Sequence, residues 1–157
     1  MLELLFILTP LIVFLPFGWR LSRIDYQSYI LPNRELLRVF CLLLVCQFLL
    51  TIAQGDTSRW LTSLKVASLC FIVFIVLYLL SRAQLGMGDV KYSAVLGLVV
   101  GWTNPDAWMI FIWLSFMFAA VWSVWKYLRH EIQTGGHIAF GPFLTVALIF
   151  TCLSIVF

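Results

Sequence analysis

Gly86-Met87-Gly88-Asp89-Val90-Lys91 sets an acid, a base and two glycines within a chain that is otherwise dominated by apolar segments. A carboxylate in lipid costs roughly 2.5–3.5 kcal/mol on insertion scales, so an Asp at such a place needs a reason to be there. Only seven of the 157 residues are Asp or Glu, and 63% of the chain is hydrophobic. Charged residues make up 11% and the mean hydropathy is +1.04. A soluble domain would carry about 25% charged residues, so that class is excluded. Cys41–Ala53, Val66–Leu80 and Ile138–Phe157 are continuously apolar, whereas a membrane β-barrel would show short alternating segments. The expected fold is all-α, a polytopic membrane helical bundle, with residues 1–157 forming one domain.

Hydropathy predicts about six transmembrane helices: Leu2–Trp19, Glu35–Ala53, Trp60–Leu80, Asp89–Trp102, Ala107–Trp125 and Ile138–Phe157. A straight crossing takes about 20 residues, so the fourth is short. The first segment has no basic stretch before it and no small-residue cleavage site after it, which reads as a retained helix rather than a signal peptide. Lys and Arg set the orientation. Arg20, Arg23, Arg34, Arg38, Arg82, Lys91, Lys126 and Arg129 follow segments one, three and five, against Arg59 and Lys65 on the other side. That asymmetry predicts both termini outside and those three loops in the cytoplasm.

Asp25 and Asp89 then share the cytoplasmic face, in the first and second cytoplasmic loop regions. Asp56 and Asp106 fall on the outer face, among the Gly, Asn, Pro and Ser of turns. Two carboxylates sharing a site cannot both ionise cheaply, and the pair can hold one proton between them. The charged member can activate a water while the protonated one polarises a carbonyl, the arrangement of aspartic proteases, which needs no metal and no nucleophilic side chain. Gly86 and Gly88 would let a peptide approach Asp89 closely. The dipole at the start of the fourth helix favours a charged Asp89, whereas Asp25 follows the end of the first helix, where charge is disfavoured. Asp89 is therefore expected to ionise more readily and Asp25 to carry the shared proton.

The remaining polar and aromatic residues have simpler readings. Cys41, Cys46, Cys70 and Cys152 lie in apolar segments without a CxxC pair, as buried small hydrophobes. His130 and His137 flank Gly135-Gly136 without a cluster of acidic or thiol ligands at metal-binding spacing, so no metal site is expected. Pro32 and Asn33 start the second helix, with Asn33 as its cap. Lys91 either anchors the cytoplasmic side or tunes Asp89, and Gly141-Pro142 breaks the chain at the entry to the last helix. Trp102, Trp108 and Trp125 read as an interfacial belt.

Gly86-Met87-Gly88-Asp89-Val90-Lys91 resembles the GxGDxK signature of type IV prepilin peptidases, a family of polytopic membrane aspartic proteases. Asp25, followed by Pro32-Asn33, resembles the family's other catalytic segment, and Ala139-Phe140-Gly141-Pro142-Phe143 resembles its C-terminal segment at the start of the last helix. The resemblance covers essentially the whole chain. It implies that Asp25 and Asp89 are the catalytic pair, with Gly86, Gly88, Lys91, Pro32 and Asn33 shaping the site or binding substrate. Many members begin with an extra region bearing two CxxC pairs, linked to zinc and N-methylation. This chain lacks them and resembles the short, peptidase-only form, so no cofactor, no S-adenosylmethionine and no methyltransferase activity is expected.

The activity implied is removal of short basic leader peptides from prepilins or pseudopilins, cut at the cytoplasmic face of the prokaryotic inner membrane. Expected partners are a prepilin-like protein substrate and membrane lipid, with no nucleic acid; a homo-oligomer is left open. The alternative from another class is a transport or assembly subunit in which the two acids relay protons. Intramembrane proteases of the presenilin kind also use GxGD, but the six short segments and the Lys after the Asp argue against that reading.

Overall fold

The computed structural model describes residues 2–28, 31–81, 85–129 and 139–154. Among them six α-helices form, with no strand: α1 Leu2–Ser28, α2 Asn33–Gln54, α3 Ser58–Leu80, α4 Met87–Thr103, α5 Trp108–Leu128 and α6 Gly141–Leu153. A single 3-10 turn, Pro105–Ala107, joins α4 to α5. The chain is a helical membrane bundle. Glu3–Ser28, Asn33–Gln54, Ser58–Leu80 and Pro105–Leu128 are long and apolar enough to cross a bilayer. Six crossings were expected; α4 and the described part of α6 fall short of that length.

The short α4 is the axis of the bundle and packs against α1, α2, α3 and α6. Every residue from Val95 to Thr103 on it is buried. At 17 residues and about 1.5 Å of rise per residue, it spans only about 25 Å. A helix apolar all round belongs inside a bundle, and one wrapped by neighbours need not match the lipid thickness itself.

Apolar burial gives little drive between helices already in lipid, so close packing and interhelical hydrogen bonds decide which faces meet. Gly97 and Gly101 put a bare strip of α4 against α3. A Cβ on Gly97 would lie 2.8 Å from the Ala67 Cα, and one on Gly101 would lie 2.7 Å from the Ser63 Cα. Ser63 and Ala67 are themselves four apart, so small residues face small residues along both helices. Beside them Gln47 of α2 is fully buried. Its Nε2 donates to the Leu98 carbonyl at 2.9 Å, while Ser63 Oγ lies 2.9 Å from Gln47 Oε1 and 2.7 Å from the same carbonyl. Interhelical bonds of this kind contribute about 0.6 kcal/mol on average.

α1 carries its core on one stripe, Leu11, Phe14, Gly18, Leu21 and Asp25, at alternating spacings of three and four. The helix runs well past Trp19, because this stripe continues through the polar stretch Arg20–Ser28 while Arg20, Arg23, Tyr26 and Gln27 face outward. Asp25 is thus a helical residue in the last turns of α1 and not a loop residue. Pro10 cannot donate to the Phe6 carbonyl one turn back, and the Trp102 indole N–H donates to that carbonyl at 3.3 Å. Trp102 is 1% exposed, so it is a core partner of α1 rather than part of an interfacial belt. Trp125 does lie at the periphery, with the Arg129 guanidinium 4.2 Å over its ring. Of the four thiols, Cys70 and Cys152 are buried, Cys46 is half-buried and Cys41 is exposed on α2, so the expectation of four buried cysteines holds for two. His130, His137 and Gly135-Gly136 lie outside the described residues, as does Arg82.

Candidate active site

Helices α1, α4 and α6 converge at the end of the bundle where α1 finishes and the other two begin. Asp25 is 4% exposed and Asp89 9%, and they are the buried carboxylates among the described residues. They are close enough to interact through space. Sequence placed them at one end of the bundle, and the structure brings them together there.

Each carboxylate meets a helix N-terminus. Asp89 is the third residue of α4 and folds back to accept the backbone N–H of Gly86, the residue that caps that helix, the return half of a capping box. Asp25 Oδ2 accepts the backbone N–H of Gly141, the first residue of α6, at 2.9 Å. First-turn N–H groups have no partner within the helix, so the bond from Gly141 to Asp25 satisfies a buried group the fold would otherwise strand. The expected asymmetry, in which only Asp89 enjoys a helix N-terminus, does not hold. The end of α1 works against charge at Asp25, but the start of α6 works for it.

Gly141 makes this approach possible. A Cβ there would lie 2.8 Å from Asp25 Oδ2 and 3.2 Å from its Cγ. Sequence alone marks Gly141-Pro142 as a chain break and does not reveal the contact of Gly141 with Asp25. Phe140, which precedes it, is anchored in an aromatic cluster with Phe74 of α3 and Phe116 of α5, at centroid distances of 6.1 and 5.1 Å. The entry to α6 is therefore held from the far side while its first N–H reaches Asp25.

One turn deeper lies a layer of hydroxyls. Thr145 Oγ1 donates to the Gly141 carbonyl at 3.1 Å. It has one proton, so the Ser22 and Tyr92 hydroxyls, each 2.7 Å away, donate to it. Tyr92 is fully buried, within electrostatic reach of both aspartates. Ser22 precedes Asp25 by three residues, Tyr92 follows Asp89 by three and Thr145 follows Gly141 by four, all spacings that share a helix face. Those spacings are the signal in the sequence that could have found this layer.

The other expected site residues divide. Gly86 lies beside Asp89, where a Cβ would sit 3.0 Å from Asp89 Oδ2. The bare face of Gly88 is occupied by the chain itself, because a Cβ there would meet the Leu31 Cβ at 3.0 Å. Lys91 Nζ donates to Asn33 Oδ1 at 2.9 Å. Two residues along a helix turn it about 200° away from Asp89, so Lys91 and Asn33 pair with each other on the opposite face of α4. Pro32, and not Asn33, occupies the cap position of α2, and no side chain caps that helix. Lys91 and Asn33 line one end of an apolar groove of about 740 Å³ between α2, α3 and α4. Its lining includes neither aspartate, so it is a separate feature from the carboxylate site.

Asp56 and Asp106 are exposed at the opposite end. The Ser58 hydroxyl and backbone N–H both donate to Asp56 Oδ1 and hold its carboxyl below the usual range. No group of His, Cys, Asp and Glu that could hold a metal occurs among the described residues.

Comparison with curated proteins and with solved structures gave no match. The model of the type IV leader peptidase family matches residues 12–124, which run from within α1 to within α5 and include both buried aspartates. The match covers well over half of the sequence, and the chain belongs to the type IV leader peptidase family.

Proposed function

We propose that this protein is a membrane-embedded aspartic endopeptidase that removes short basic leader peptides from type IV prepilin-like or pseudopilin substrates, at the cytoplasmic face of the inner membrane. Family membership supports peptidase activity. The observation that carries the mechanism is the juxtaposition of Asp25 and Asp89, buried and each held by a helix N-terminus.

Two neighbouring carboxylates hold one proton between them. The ionised member takes a proton from water as the water oxygen bonds to the scissile carbonyl carbon. The protonated member gives its proton to the carbonyl oxygen, which leaves a tetrahedral diol. Collapse of the diol breaks the C–N bond: the protonated aspartate gives its proton to the leaving amine, a diol hydroxyl gives its proton to the ionised one, and the pair returns to its starting state with one proton. The products are a leader carboxylate and a new amino terminus. Gly86 and Met87 are exposed at the rim beside Asp89, and a substrate helix lying in the bilayer would present its leader at that level.

Co-expression with a prepilin-like substrate tests the proposal through the mobility shift on leader loss. Cleavage is expected from the wild type and not from Asp25→Asn or Asp89→Asn. Cleavage that persists in both variants would refute the aspartyl mechanism and favour the proton-relay alternative.

A further inference from the structure

We propose that Thr145 is a positioning residue that sets the spacing of Asp25 and Asp89 through a three-helix hydroxyl hub; the proposal rests on the peptidase reading of that pair. The hub joins the three elements that carry the site. Ser22 of α1 and Tyr92 of α4 donate to Thr145 Oγ1, each at 2.7 Å. Thr145 Oγ1 donates to the Gly141 carbonyl at 3.1 Å, and the N–H of that same glycine donates to Asp25 Oδ2 at 2.9 Å. Thr145 is 7% exposed and Tyr92 fully buried, so water does not substitute readily for either bond.

Proton counting gives the hub a direction. A threonine hydroxyl has one donor and two acceptor sites, and all three are used here by three different groups. Replacement by Val keeps the shape and removes every bond at once, whereas Ser keeps all three and removes only a methyl. The contacts lie about one helical turn below the carboxylates, roughly 5 Å along the axes. A shift of α1 against α4 at this layer is therefore carried directly to the aspartates. Displacement of a reacting group by about 1 Å costs on the order of 10²-fold in rate, and interhelical hydrogen bonds are individually weak. Loss of the hub should then lower turnover by more than the accompanying loss of stability explains.

The test uses the full chain in detergent with a prepilin-like substrate. Thr145→Val is expected to lower kcat by about ten- to a hundredfold with KM within about twofold and the melting temperature lowered but the protein still folded, since the buried Tyr92 hydroxyl loses a partner, and Thr145→Ser to restore most of the turnover. Tyr92→Phe and Ser22→Ala each remove one arm of the hub. Adding either to Thr145→Val should cost less than it does alone, as coupled groups are non-additive. If Thr145→Val does not fold, these two single variants carry the same readouts.

A second arm needs no cleavage. Nitroxide labels at Tyr26→Cys and Met87→Cys, both exposed positions, report the α1–α4 distance by pulsed electron resonance, with Cys41 and Cys46 changed to Ser. Thr145→Val should broaden or shift that distance and Thr145→Ser should restore it. Wild-type kcat and an unchanged distance in Thr145→Val would overturn the proposal, as would an equal loss of turnover in Thr145→Ser. A wild type that cuts no prepilin-like substrate counts against the peptidase reading instead, and the distance arm then decides the hub alone.

Discussion

Asp25 and Asp89 at one end of the bundle and Asp56 and Asp106 at the other are the same side chain, all near helix ends, yet their surroundings differ completely. Asp56 and Asp106 face outward, and the partners of Asp56 come from its own turn, two residues along. Asp25 takes its hydrogen bond from a residue 116 positions away and feels Asp89 from a third helix. A turn aspartate is held by local chain geometry and needs no tertiary structure. A buried pair exists only while three helices are in register, so its chemistry depends on the whole bundle.

The largest expected effect draws this contrast most sharply. Asp25→Asn and Asp89→Asn should each lower leader cleavage by at least about 10²–10⁴-fold, the range for loss of a general acid or base, with the protein still extractable and helical. Asp56→Asn and Asp106→Asn should leave cleavage unchanged. A comparable loss from either outer variant would break the comparison.

Gly141→Ala should come next. The added methyl would sit 2.8 Å from Asp25 Oδ2, and the carboxyl must move away to accept it. Cleavage should fall by about 10²-fold, the cost of misplacing a reacting group by about 1 Å, while circular dichroism shows the helices retained. Gly88→Ala meets Leu31 instead and should cost less. Lys91→Met breaks the bond to Asn33 on the opposite face of α4, so cleavage within a few-fold of wild type is expected. A loss as large as that of Gly141→Ala would mean that Lys91 acts on Asp89 after all.

Much of this was legible in the residues, and what was missed has physical causes. Charge asymmetry along the chain brought Asp25 and Asp89 to one end, because alternating helices leave few alternatives. The extension of α1 was hidden by composition: Arg20, Arg23 and Gln27 look like loop until Leu21 and Asp25 are seen to continue the stripe of Leu11, Phe14 and Gly18. Gly97 and Gly101 show the spacing of a close-packing helix face in plain sequence, but their partners Ser63 and Ala67 can be chosen only in space. Trp102 was misread because it lies near a helix end; the decisive fact was the carbonyl that Pro10 leaves free at Phe6. The link from Gly141 to Asp25 joins α6 to α1, a pairing that no local pattern contains.

The smallest effect is expected at Asp56, and its sign follows from linkage. The bonds from Ser58 hold the folded-state pKa of Asp56 below its ordinary 3.8. A depressed carboxylate stabilises the folded state above the unfolded pKa, and that contribution disappears as pH falls through the lower folded value. The group is fully exposed, so solvent screens the interaction and the contribution is small. Asp56→Ala should therefore lower the melting temperature slightly at pH 7, where the wild-type carboxylate is charged. As pH falls through that lower folded value the gap between the two proteins should narrow, since a protonated Asp56 is held less strongly by Ser58 than the carboxylate is. Thermal scans of both proteins across that range measure the difference. A gap that does not narrow at low pH would show that Asp56 supports α3 by something other than its charge, and would weaken the contrast between the two ends of the bundle.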